Sequence, residues 1–384
     1  MEAYFDNSAT TRVLDEVKDI VVKTMTEDFG NPSSLHRKGV EAENYVKDAR
    51  EKIAKSLKVS EKEIFFTSGG TESNNLAIIG TAMANKRTGM HIITSSIEHA
   101  SVGNPMNYLE QEGFRITYLP VDHNGMIDRK VLEESLCEDT ILVSVIHVNN
   151  EIGAVEPIDE IAADIKKKNP NTLFHVDAIQ SYGKYILRPK KIGIDLLSVS
   201  AHKIHGPKGV GFLYINEKVK VKPIIYGGDQ QKGVRSGTEN VPGIAGLAVA
   251  AQRIYEEHES KVEHLYRLRE AFIQKVSEIE GITVNGYTDR RNAPHIVSVS
   301  FEGVKSEVLI HALEEKEIYA SPGSACSSNK PSVNHTLNNI GVKKELLDYT
   351  LRFSFSVFNT EEEISYCISV LEAVLPKLRR FRRR

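Results

Sequence analysis

The sequence has few cysteines, and their spacing excludes two classes of small, cross-linked protein. Its three cysteines, Cys137, Cys326 and Cys367, are widely separated and odd in number. This pattern argues against a disulfide framework and against the paired spacings of a zinc site. We therefore expect no bound metal, and we expect any cysteine chemistry to use a single reduced thiol.

The sequence also lacks a long apolar run and a strong net charge. Its longest apolar stretch lies near residues 141–148, whereas a membrane-spanning helix needs roughly 20 apolar residues. Asp6 and its polar neighbours interrupt any early apolar segment, so the N-terminus does not resemble a signal peptide. The formal net charge of -3 gives no strong electrostatic reason for a polyanionic partner. We predict a cytoplasmic protein that binds neither membranes nor nucleic acid.

Size and composition fit a folded enzyme. The chain has 384 residues, of which 40% are hydrophobic and 26% are charged. These fractions are close to the averages for globular proteins. The length favours two domains, or one large α/β domain with an appendage.

In the first half of the chain, short apolar runs alternate with helix-like segments. This alternation is typical of βαβ units, with a mainly parallel sheet and helices on both faces. Two further β-like runs, at residues 209–215 and 221–226, are expected to be antiparallel additions. The predicted strands of the parallel sheet cover residues 63–66, 91–95, 115–119, 141–148, 173–176 and 196–199.

The second half has a different pattern. Residues 243–279 are helix-periodic with few breakers, which predicts one long helix leading out of the first unit. Beyond it, the pattern predicts a second, smaller α+β domain, with a boundary near residue 260. Its predicted strands are residues 296–301 and 351–355, and its predicted helices are residues 306–315 and 360–375.

A glycine turn joins the first predicted strand to a helix. Residues 67–75 read TSGGTESNN, and such a turn exposes backbone N–H groups at a helix N-terminus, where an anion binds favourably. Gly70 and Thr71 are the candidate phosphate-binding residues. The alternative is an ordinary turn in which Ser68 or Thr71 caps the helix. The segment lacks the patterns of a P-loop and of a dinucleotide fingerprint, so an adenine nucleotide is not the first choice.

A lysine and an aspartate follow two of the other predicted strands. Lys203 comes after Ser200 and His202; a lysine at an apolar strand end can become a nucleophile, while serine and histidine can bind a phosphate. The alternative is a lysine whose amine simply reaches water. Asp177 ends another strand, with Gln180 just beyond it, and pyridoxal phosphate (PLP) requires a carboxylate beside its pyridine nitrogen. Together these residues favour a PLP site.

The motifs, in this order and at these separations, resemble one enzyme family over almost the whole chain. They are similar to those of the class V aminotransferase-like PLP enzymes and, within them, to the cysteine desulfurases of the NifS and IscS group. The matching motifs are DNSATT (6–11), GNPSS (30–34), TSGGTESNN (67–75), SIEH (96–99), HVNNEIG (147–153), HVDAIQ (175–180), SAHK (200–203), RSGTEN (235–240), GSAC (323–326) and RFS (352–354).

The resemblance implies an α/β fold of the PLP-dependent aminotransferase fold type I. A large PLP-binding domain with a mainly parallel seven-stranded sheet is expected at residues 16–260. A smaller α+β domain is expected to combine residues 1–15 with residues 261–384, and to carry a mobile catalytic cysteine loop at about residues 321–332. The chain is expected to form a homodimer with shared active sites.

The resemblance also implies roles for residues around the cofactor ring. Lys203 would bond covalently to PLP, Asp177 would bind the pyridine nitrogen, Gln180 would bind the ring oxygen, and His99 would stack over the ring. Lys203 and His99 are the candidate proton carriers. Taken alone, His99 is better explained as an ordinary buried, hydrogen-bonded histidine.

Further implied roles concern the phosphate and the substrate. Asn149 would contact both cofactor and substrate, although a turn-capping role is its default reading. Arg352 would bind the substrate carboxylate with its planar fork, although an arginine here also fits a charge at a strand edge. The phosphate would be held by Gly70, Thr71, Ser200, His202 and, from the neighbouring subunit, Thr238.

Cys326 is the cysteine predicted to carry the reaction. It lies in a segment too rich in breakers to be a helix or strand, and a cysteine in an exposed loop has no packing role. Cys367 is predicted to fill the core, and Cys137, beside Glu138 and Asp139, to be poorly placed to become a thiolate. The Cys326 thiolate would attack the sulfur of L-cysteine, keep it as a persulfide and release alanine. An iron–sulfur scaffold or another acceptor protein would then take the sulfur.

Two other functions fit part of the sequence. A class V aminotransferase or selenocysteine lyase would share the cofactor residues without requiring Cys326. A non-catalytic sulfur carrier or assembly scaffold would keep the fold without turnover, but the presence of both Lys203 and Cys326 argues against it. A visible absorption band of bound PLP would separate the scaffold from the two enzymes.

Overall fold

The computed structural model describes residues 1–322 and 334–381. The described helices and strands follow in chain order. The strands are β1 (Ala3–Tyr4), β2 (Ile64–Thr67), β3 (His91–Ser95), β4 (Arg115–Leu119), β5 (Thr140–Ile146), β6 (Leu173–Asp177), β7 (Leu196–Ser200), β8 (Gly211–Ile215), β9 (Ile282–Asn285), β10 (Ile296–Phe301), β11 (Ile318–Tyr319), β12 (Ser321–Pro322) and β13 (Thr350–Ser354). The α-helices are α1 (Asp15–Thr26), α2 (Arg37–Leu57), α3 (Gly70–Asn75), α4 (Thr81–Asn85), α5 (Ala100–Gln111), α6 (Arg129–Ser135), α7 (Ile158–Lys168), α8 (Pro189–Ile192), α9 (Val241–Tyr255), α10 (His258–Val276), α11 (Ser306–Glu314), α12 (His335–Asn339), α13 (Lys344–Leu347) and α14 (Glu361–Phe381).

The main sheet has seven strands in the order β2-β8-β7-β6-β5-β3-β4. Strands β3 to β7 pair in parallel, whereas β8 is antiparallel to both of its neighbours, β7 and β2. This confirms the predicted α/β fold with a mainly parallel seven-stranded sheet, and the antiparallel run near residues 209–215. Most of these strands were predictable because their apolar runs are buried on both faces, as in sheets covered by helices, whereas the edge strand β4 is partly exposed.

Helices cover both faces of this sheet. Neighbouring residues of one strand point to opposite faces, so Leu196 packs into one apolar cluster and Leu197 into another. The cluster around Leu197 includes side chains of α1, α2, α7 and α9. The cluster around Leu196 includes side chains of α5 and of the helical run that starts with α3.

A second, four-stranded antiparallel sheet, in the order β12-β13-β10-β9, has its own apolar core. Side chains of α10, α11 and α14 fill that core, and the N-terminal residues Ala3 and Phe5 belong to it. Helix α14 begins where Thr360 and Glu363 exchange side-chain and backbone hydrogen bonds, which is the capping-box arrangement. The exact division of the chain into residues 16–260 and the remainder stays a prediction, which the separate cores support.

Two predicted elements of secondary structure are wrong. The expected single helix at residues 243–279 is two helices, α9 and α10, because Glu257 between them takes a left-handed φ of 51°. The expected strand at residues 221–226 is absent: the structure assigns no strand to these described residues. Pro223 has no N–H to give to a strand ladder, and the side chains of Ile225 and Tyr226 are exposed.

Within residues 1–322 and 334–381, every helix is too short or too polar to cross a lipid bilayer. The same described residues contain no group of three or more histidine, cysteine, aspartate or glutamate side chains arranged to hold a metal ion.

Candidate active site

The carboxyl ends of the parallel strands meet at a cavity of about 290 Å³. This edge of a parallel sheet gathers the residues that follow each strand, and ligands commonly bind there. β6 ends at Asp177, and β7 is followed by a short 3₁₀ turn, Ala201–Lys203. The cavity brings together most of the predicted site residues: Gly70, Thr71, His99, Asp177, Gln180, Ser200, His202, Lys203 and Arg352.

The turn from β2 into α3 needs its glycines. Gly69 has φ 145° and ψ -171°, a conformation that residues with side chains rarely adopt. A Cβ atom on Gly70 would overlap the side chain of Ile179. Helix α3, a π-helical turn and α4 follow one another without a break. The N-terminus of this helical run lies at the cavity, because Gly70 and Thr71 line it. Its orientation favours an anion there.

The same end of the cavity is rich in positive charge. Burial, together with the charges of Lys203 and Lys208, lowers the pKa of His202 to about 4, so its ring is neutral near pH 7. Nδ1 of His202 lies 3.3 Å from the Thr10 hydroxyl. Ser200 and Thr71 complete a set of donors suited to a phosphate.

The amine of Lys203 is held by backbone carbonyl groups of the N-terminal segment. Its Nζ donates to the carbonyl oxygens of Ser8 and Ala9, the latter at 2.6 Å. The backbone N–H and the hydroxyl of Thr11 both donate to the carbonyl oxygen of His202 at 2.9 Å. Residues 8–11 and the 3₁₀ turn after β7 therefore form one hydrogen-bonded unit around the lysine.

A second lysine supports this unit. Nζ of Lys184 donates to the carbonyl oxygen of Lys203 at 2.8 Å. Burial and the neighbouring charge of Lys203 lower the pKa of Lys184 to about 7. No sequence pattern marks this residue, because a lysine after Gly183 looks like any surface lysine.

The lowered pKa of Lys184 predicts a pH-dependent stability. In the unfolded chain the amine keeps its proton up to about pH 10, so the folded chain binds fewer protons from about pH 7 to pH 10 and its free energy of unfolding rises with pH there. We expect this rise to be larger, by about 2–4 kcal/mol, in the unaltered protein than in Lys184→Met. Urea unfolding of both proteins at about pH 7 and pH 10 measures the difference. Parallel pH curves for the two proteins would contradict the assignment.

Asp177 is a buried carboxylate with two hydrogen-bond donors. Its Oδ2 accepts from Nδ2 of Asn74 at 2.8 Å, and its Oδ1 accepts from the backbone N–H of Ile179 at 3.0 Å. Burial raises its pKa, while the Ile179 N–H, His99 and Asn74 oppose that rise. A buried carboxylate of this kind is stabilised by a protonated nitrogen on a ligand.

The hydrogen bonds of His99 fix its tautomer. Its Nδ1 accepts from the backbone N–H of Ser101 at 3.1 Å, at the start of α5, so the proton of the neutral ring is on Nε2. Burial lowers the pKa of His99; the charge of Asp177 opposes this effect, and the charges of Lys203 and Arg352 reinforce it. The Ser101 hydroxyl also accepts from Asn74, which links the histidine to the donor of Asp177.

Arg352 on β13 is buried, and only some of the hydrogen-bond donors of its guanidinium have partners among the described residues. Its Nη1 donates to the carbonyl oxygen of Asn150 at 2.9 Å, and its Nη2 donates to Oδ1 of Asp6 at 2.8 Å. Its Nε has no hydrogen-bond partner among the described residues. The guanidinium is therefore fixed at the cavity with donors left for a carboxylate.

Two predicted residues, Asn149 and Thr238, do not line this cavity, and a third, Cys326, lies outside the described residues. Nδ2 of Asn149 donates to the carbonyl oxygen of Ile97, and its Oδ1 accepts from two backbone N–H groups. These bonds match the turn-capping alternative. The contact of Asn149 with cofactor and substrate stays a prediction. Thr238 is exposed, and its role toward a neighbouring subunit also stays a prediction. Cys326 lies outside the described residues, which exclude 323–333 and 382–384.

The two described cysteines differ in burial and in the direction in which the pKa of each thiol is shifted. Cys367 is fully buried on α14, and burial raises its pKa, as expected for a core residue. The expectation that Cys137 is poorly placed to become a thiolate is wrong. Burial alone would raise its pKa, but hydrogen bonds from Thr140 and Arg115 lower it below the usual value.

Several residues of the site were not recognised from the sequence. They act on predicted residues from far along the chain: Asn74 is 103 positions from Asp177, and Asp6 is 346 positions from Arg352. Both lie within matched motifs, TSGGTESNN and DNSATT, and these motifs were the available signal. Lys184 and Ser101 lie outside the matched motifs.

Comparisons with known proteins identify the family of the chain. The family model of the class-V aminotransferases matches residues 3–367. A cysteine desulfurase IscS from Dictyoglomus turgidum is 44% identical over 379 residues, covering 98% of this chain and 95% of the relative. A solved NifS-like protein has a TM-score of 0.93 at 40% identity, covering 98% of this chain and all of that one. The structure of SspA in complex with cysteine has a TM-score of 0.82 at 34% identity, over 93% of this chain and all of that one. The chain therefore belongs to the class-V aminotransferase family, in the group of the cysteine desulfurases of the NifS and IscS type.

Proposed function

We propose that this chain is a cysteine desulfurase that uses PLP to take sulfur from L-cysteine, releasing alanine and holding the sulfur on Cys326. One observation carries the proposal. A single cavity combines an anion-binding end, the buried carboxylate of Asp177, the amine of Lys203 and the guanidinium of Arg352. The similar proteins named above, one of them solved with cysteine, support the same substrate.

The described residues fit PLP. Gly70, Thr71, Ser200 and His202 would hold the phosphate, because this end of the cavity offers N–H donors, hydroxyls and nearby cations. Asp177 would pair with the pyridine nitrogen, and Gln180 would bind the ring oxygen. When bound, PLP supplies an electron sink that makes the α-proton of an amino acid acidic.

Two groups of the chain are suited to move protons. Lys203 would hold the cofactor through its amine, and the same amine is suited to take the α-proton of the substrate as a base. His99 is neutral, with its proton on Nε2, so Nε2 can give a proton and recover it.

Arg352 would bind the carboxylate of L-cysteine. Its links to Asp6 and Asn150 fix the plane of the guanidinium before substrate arrives, and a fixed fork loses less freedom on binding.

Cys326 would act as the sulfur acceptor within the chain. The described residues that flank its segment are fixed near the cavity: Ser321 pairs with Arg352 across β12 and β13, and Thr336 donates to Glu151. The thiolate of Cys326 would attack the substrate sulfur, so that an S–S bond forms while the C–S bond breaks. The carbon fragment would take up one proton at its β-carbon, regain the α-proton held by Lys203 and leave as alanine, while the enzyme would keep a persulfide.

We also propose a homodimer in which Thr238 completes the phosphate site of the neighbouring subunit. Thr238 is exposed, on a segment fixed to its own chain. The Gln231 amide pairs with the backbone N–H and carbonyl of Phe66 on the edge strand β2, and Arg235 binds Glu72 at 2.9 Å. Large apolar side chains on α1 and in the residues that follow it are also exposed, which suits burial by a second copy of the chain: Val22, Met25, Phe29 and Leu35.

Mixed dimers test the role of Thr238. Lys203→Ala removes the amine of its own site, while Thr238→Glu places a negative charge against the phosphate of the site that Thr238 serves. Each variant homodimer should be inactive. A mixed dimer of the two should recover about half of the normal activity, because one site is then intact. If Thr238 served its own subunit, the mixed dimer would be as inactive as its parents.

The remaining expectations rest on this function. Sulfur would pass from Cys326 to an iron–sulfur scaffold or another acceptor protein. The cytoplasmic location, and the division into a domain of residues 16–260 and a domain of residues 1–15 with 261–384, stay predictions.

The choice of substrate and cofactor can be tested with purified protein. We expect a visible absorption band of bound PLP, and alanine release from L-cysteine together with protein persulfide. A selenocysteine lyase would release alanine from selenocysteine in preference to cysteine, and an aminotransferase would consume a keto acid. Protein without the visible band would favour the non-catalytic scaffold, and would overturn the proposal.

A further inference from the structure

The orientation of the Gln180 side-chain amide is defined by two contacts on opposite sides. Its Nε2 donates to the carbonyl oxygen of Ser8 at 3.0 Å, and a carbonyl can only accept. Its Oε1 lies 3.3 Å from Nε2 of His295. Because an amide oxygen can only accept, His295 must donate from Nε2.

The surroundings of His295 keep its ring in this form. The ring is buried, and the charged groups that act on it are all cations: Lys184, Arg352, Lys203 and Arg269. Burial and these charges hold the pKa of His295 well below its usual value, so the ring is neutral with a single N–H. Nδ1 has no hydrogen-bond partner among the described residues, which is consistent with the proton being on Nε2.

We propose that His295 is a positioning residue that fixes the Gln180 amide with its N–H groups toward the Ser8 carbonyl and the cofactor ring oxygen. The inference rests on the proposed function, because the ring oxygen belongs to PLP. Gln180 lines the cavity. His295 lines a smaller neighbouring cavity behind it, together with Lys184 and Phe355, and therefore acts through Gln180.

The hydrogen bond matters because Gln180 has two chemically opposite ends. A donor to Oε1 leaves the second N–H of Nε2 available to a ligand oxygen. Without His295, the buried Oε1 would lose its donor, and a buried acceptor without a partner is unfavourable. The side chain would then turn or move, and its carbonyl oxygen would repel the ring oxygen of the cofactor.

A matched pair of variants tests this role. His295→Gln keeps a donor, whereas His295→Met has a similar length and no donor. We expect His295→Met to weaken PLP binding about tenfold, the effect of one hydrogen bond, and His295→Gln to stay within about twofold of the unaltered protein. PLP dissociation constants are measured by titrating cofactor-free protein with PLP.

A double-mutant cycle distinguishes positioning from a general effect on structure. In a Gln180→Met background, His295→Met should cause no further loss of PLP affinity. The same tenfold loss in that background, or unchanged affinity of His295→Met in the normal background, would overturn the inference. If the unaltered protein binds no PLP, the proposed function fails; if it binds PLP and the cycle is additive, only the role of His295 fails.

A measurement on the unaltered protein covers the case in which a variant does not fold. Nitrogen NMR of ¹⁵N-labelled histidine reports which ring nitrogen carries the proton. We expect His295 to be neutral with its proton on Nε2 at neutral pH. A charged ring, or a proton on Nδ1, would contradict the donor role.

Discussion

Replacing Lys203 by alanine is expected to abolish cysteine desulfuration. Without the amine, PLP loses its covalent link to the chain, and the substrate loses the base that takes its α-proton. A positioned proton-transfer group contributes about 10²–10⁴-fold to a rate, so a loss of at least this size is expected in alanine release. Ser8 and Ala9 would also lose their hydrogen-bond donor. A small added amine, such as methylamine, should restore part of the rate.

The control for this variant is Lys130→Ala. Lys130 lies on α6, and its side chain is 82% exposed, so the same substitution there should leave alanine release unchanged. Circular dichroism of both variants establishes that each is folded. A Lys203→Ala protein that releases alanine at the normal rate would remove the lysine from the mechanism.

Replacing Cys326 by serine is expected to abolish persulfide formation and to reduce alanine release to the background. A serine hydroxyl stays protonated near neutral pH, so it cannot replace the thiolate that attacks the substrate sulfur. PLP binding should be unchanged, because the residues proposed to hold the cofactor are all elsewhere. The absorption spectrum and the alanine assay together separate these two properties.

Cys137→Ser is the demanding control for Cys326. Cys137 is an exposed cysteine, and hydrogen bonds from Thr140 and Arg115 lower the pKa of its thiol below the usual value. Arg115 lies on the edge strand β4, and neither Arg115 nor Cys137 lines the cavity within the described residues. The variant should retain full activity and full persulfide content. Persulfide that persists in Cys326→Ser and disappears in Cys137→Ser would show that Cys137 carries the sulfur, and would contradict the role of Cys326.

The parallel sheet was predictable from the sequence because a buried strand, and the helix that connects it to the next one, each leave a pattern in adjacent residues. β3, β4 and β10 begin and end at the predicted residues, since each is an apolar run bounded by breakers. The two wrong predictions of secondary structure concern segments whose local pattern fits more than one structure. Helical periodicity continues through residues 256 and 257, and the left-handed conformation of Glu257 leaves no mark on it. The apolar run at 221–226 is β-like in composition but contains Pro223.

The site was predictable to the extent that its residues follow strands. Asp177 and Lys203 lie at neighbouring strand ends, so the parallel sheet brings them to one edge. The contacts that tune them come from distant segments. Lys184 reaches the carbonyl of Lys203 from a turn, and His295 reaches Gln180 across 115 positions. No spacing in the sequence encodes these contacts, because they depend on how turns and loops pack together in the folded chain.

The central claim is that one lysine of this chain binds PLP covalently. Treating the purified protein with borohydride and mapping its peptides by mass spectrometry tests this claim most directly. We expect PLP to be found on the peptide that contains Lys203. PLP fixed to Lys184 instead, or to no lysine, would contradict the account.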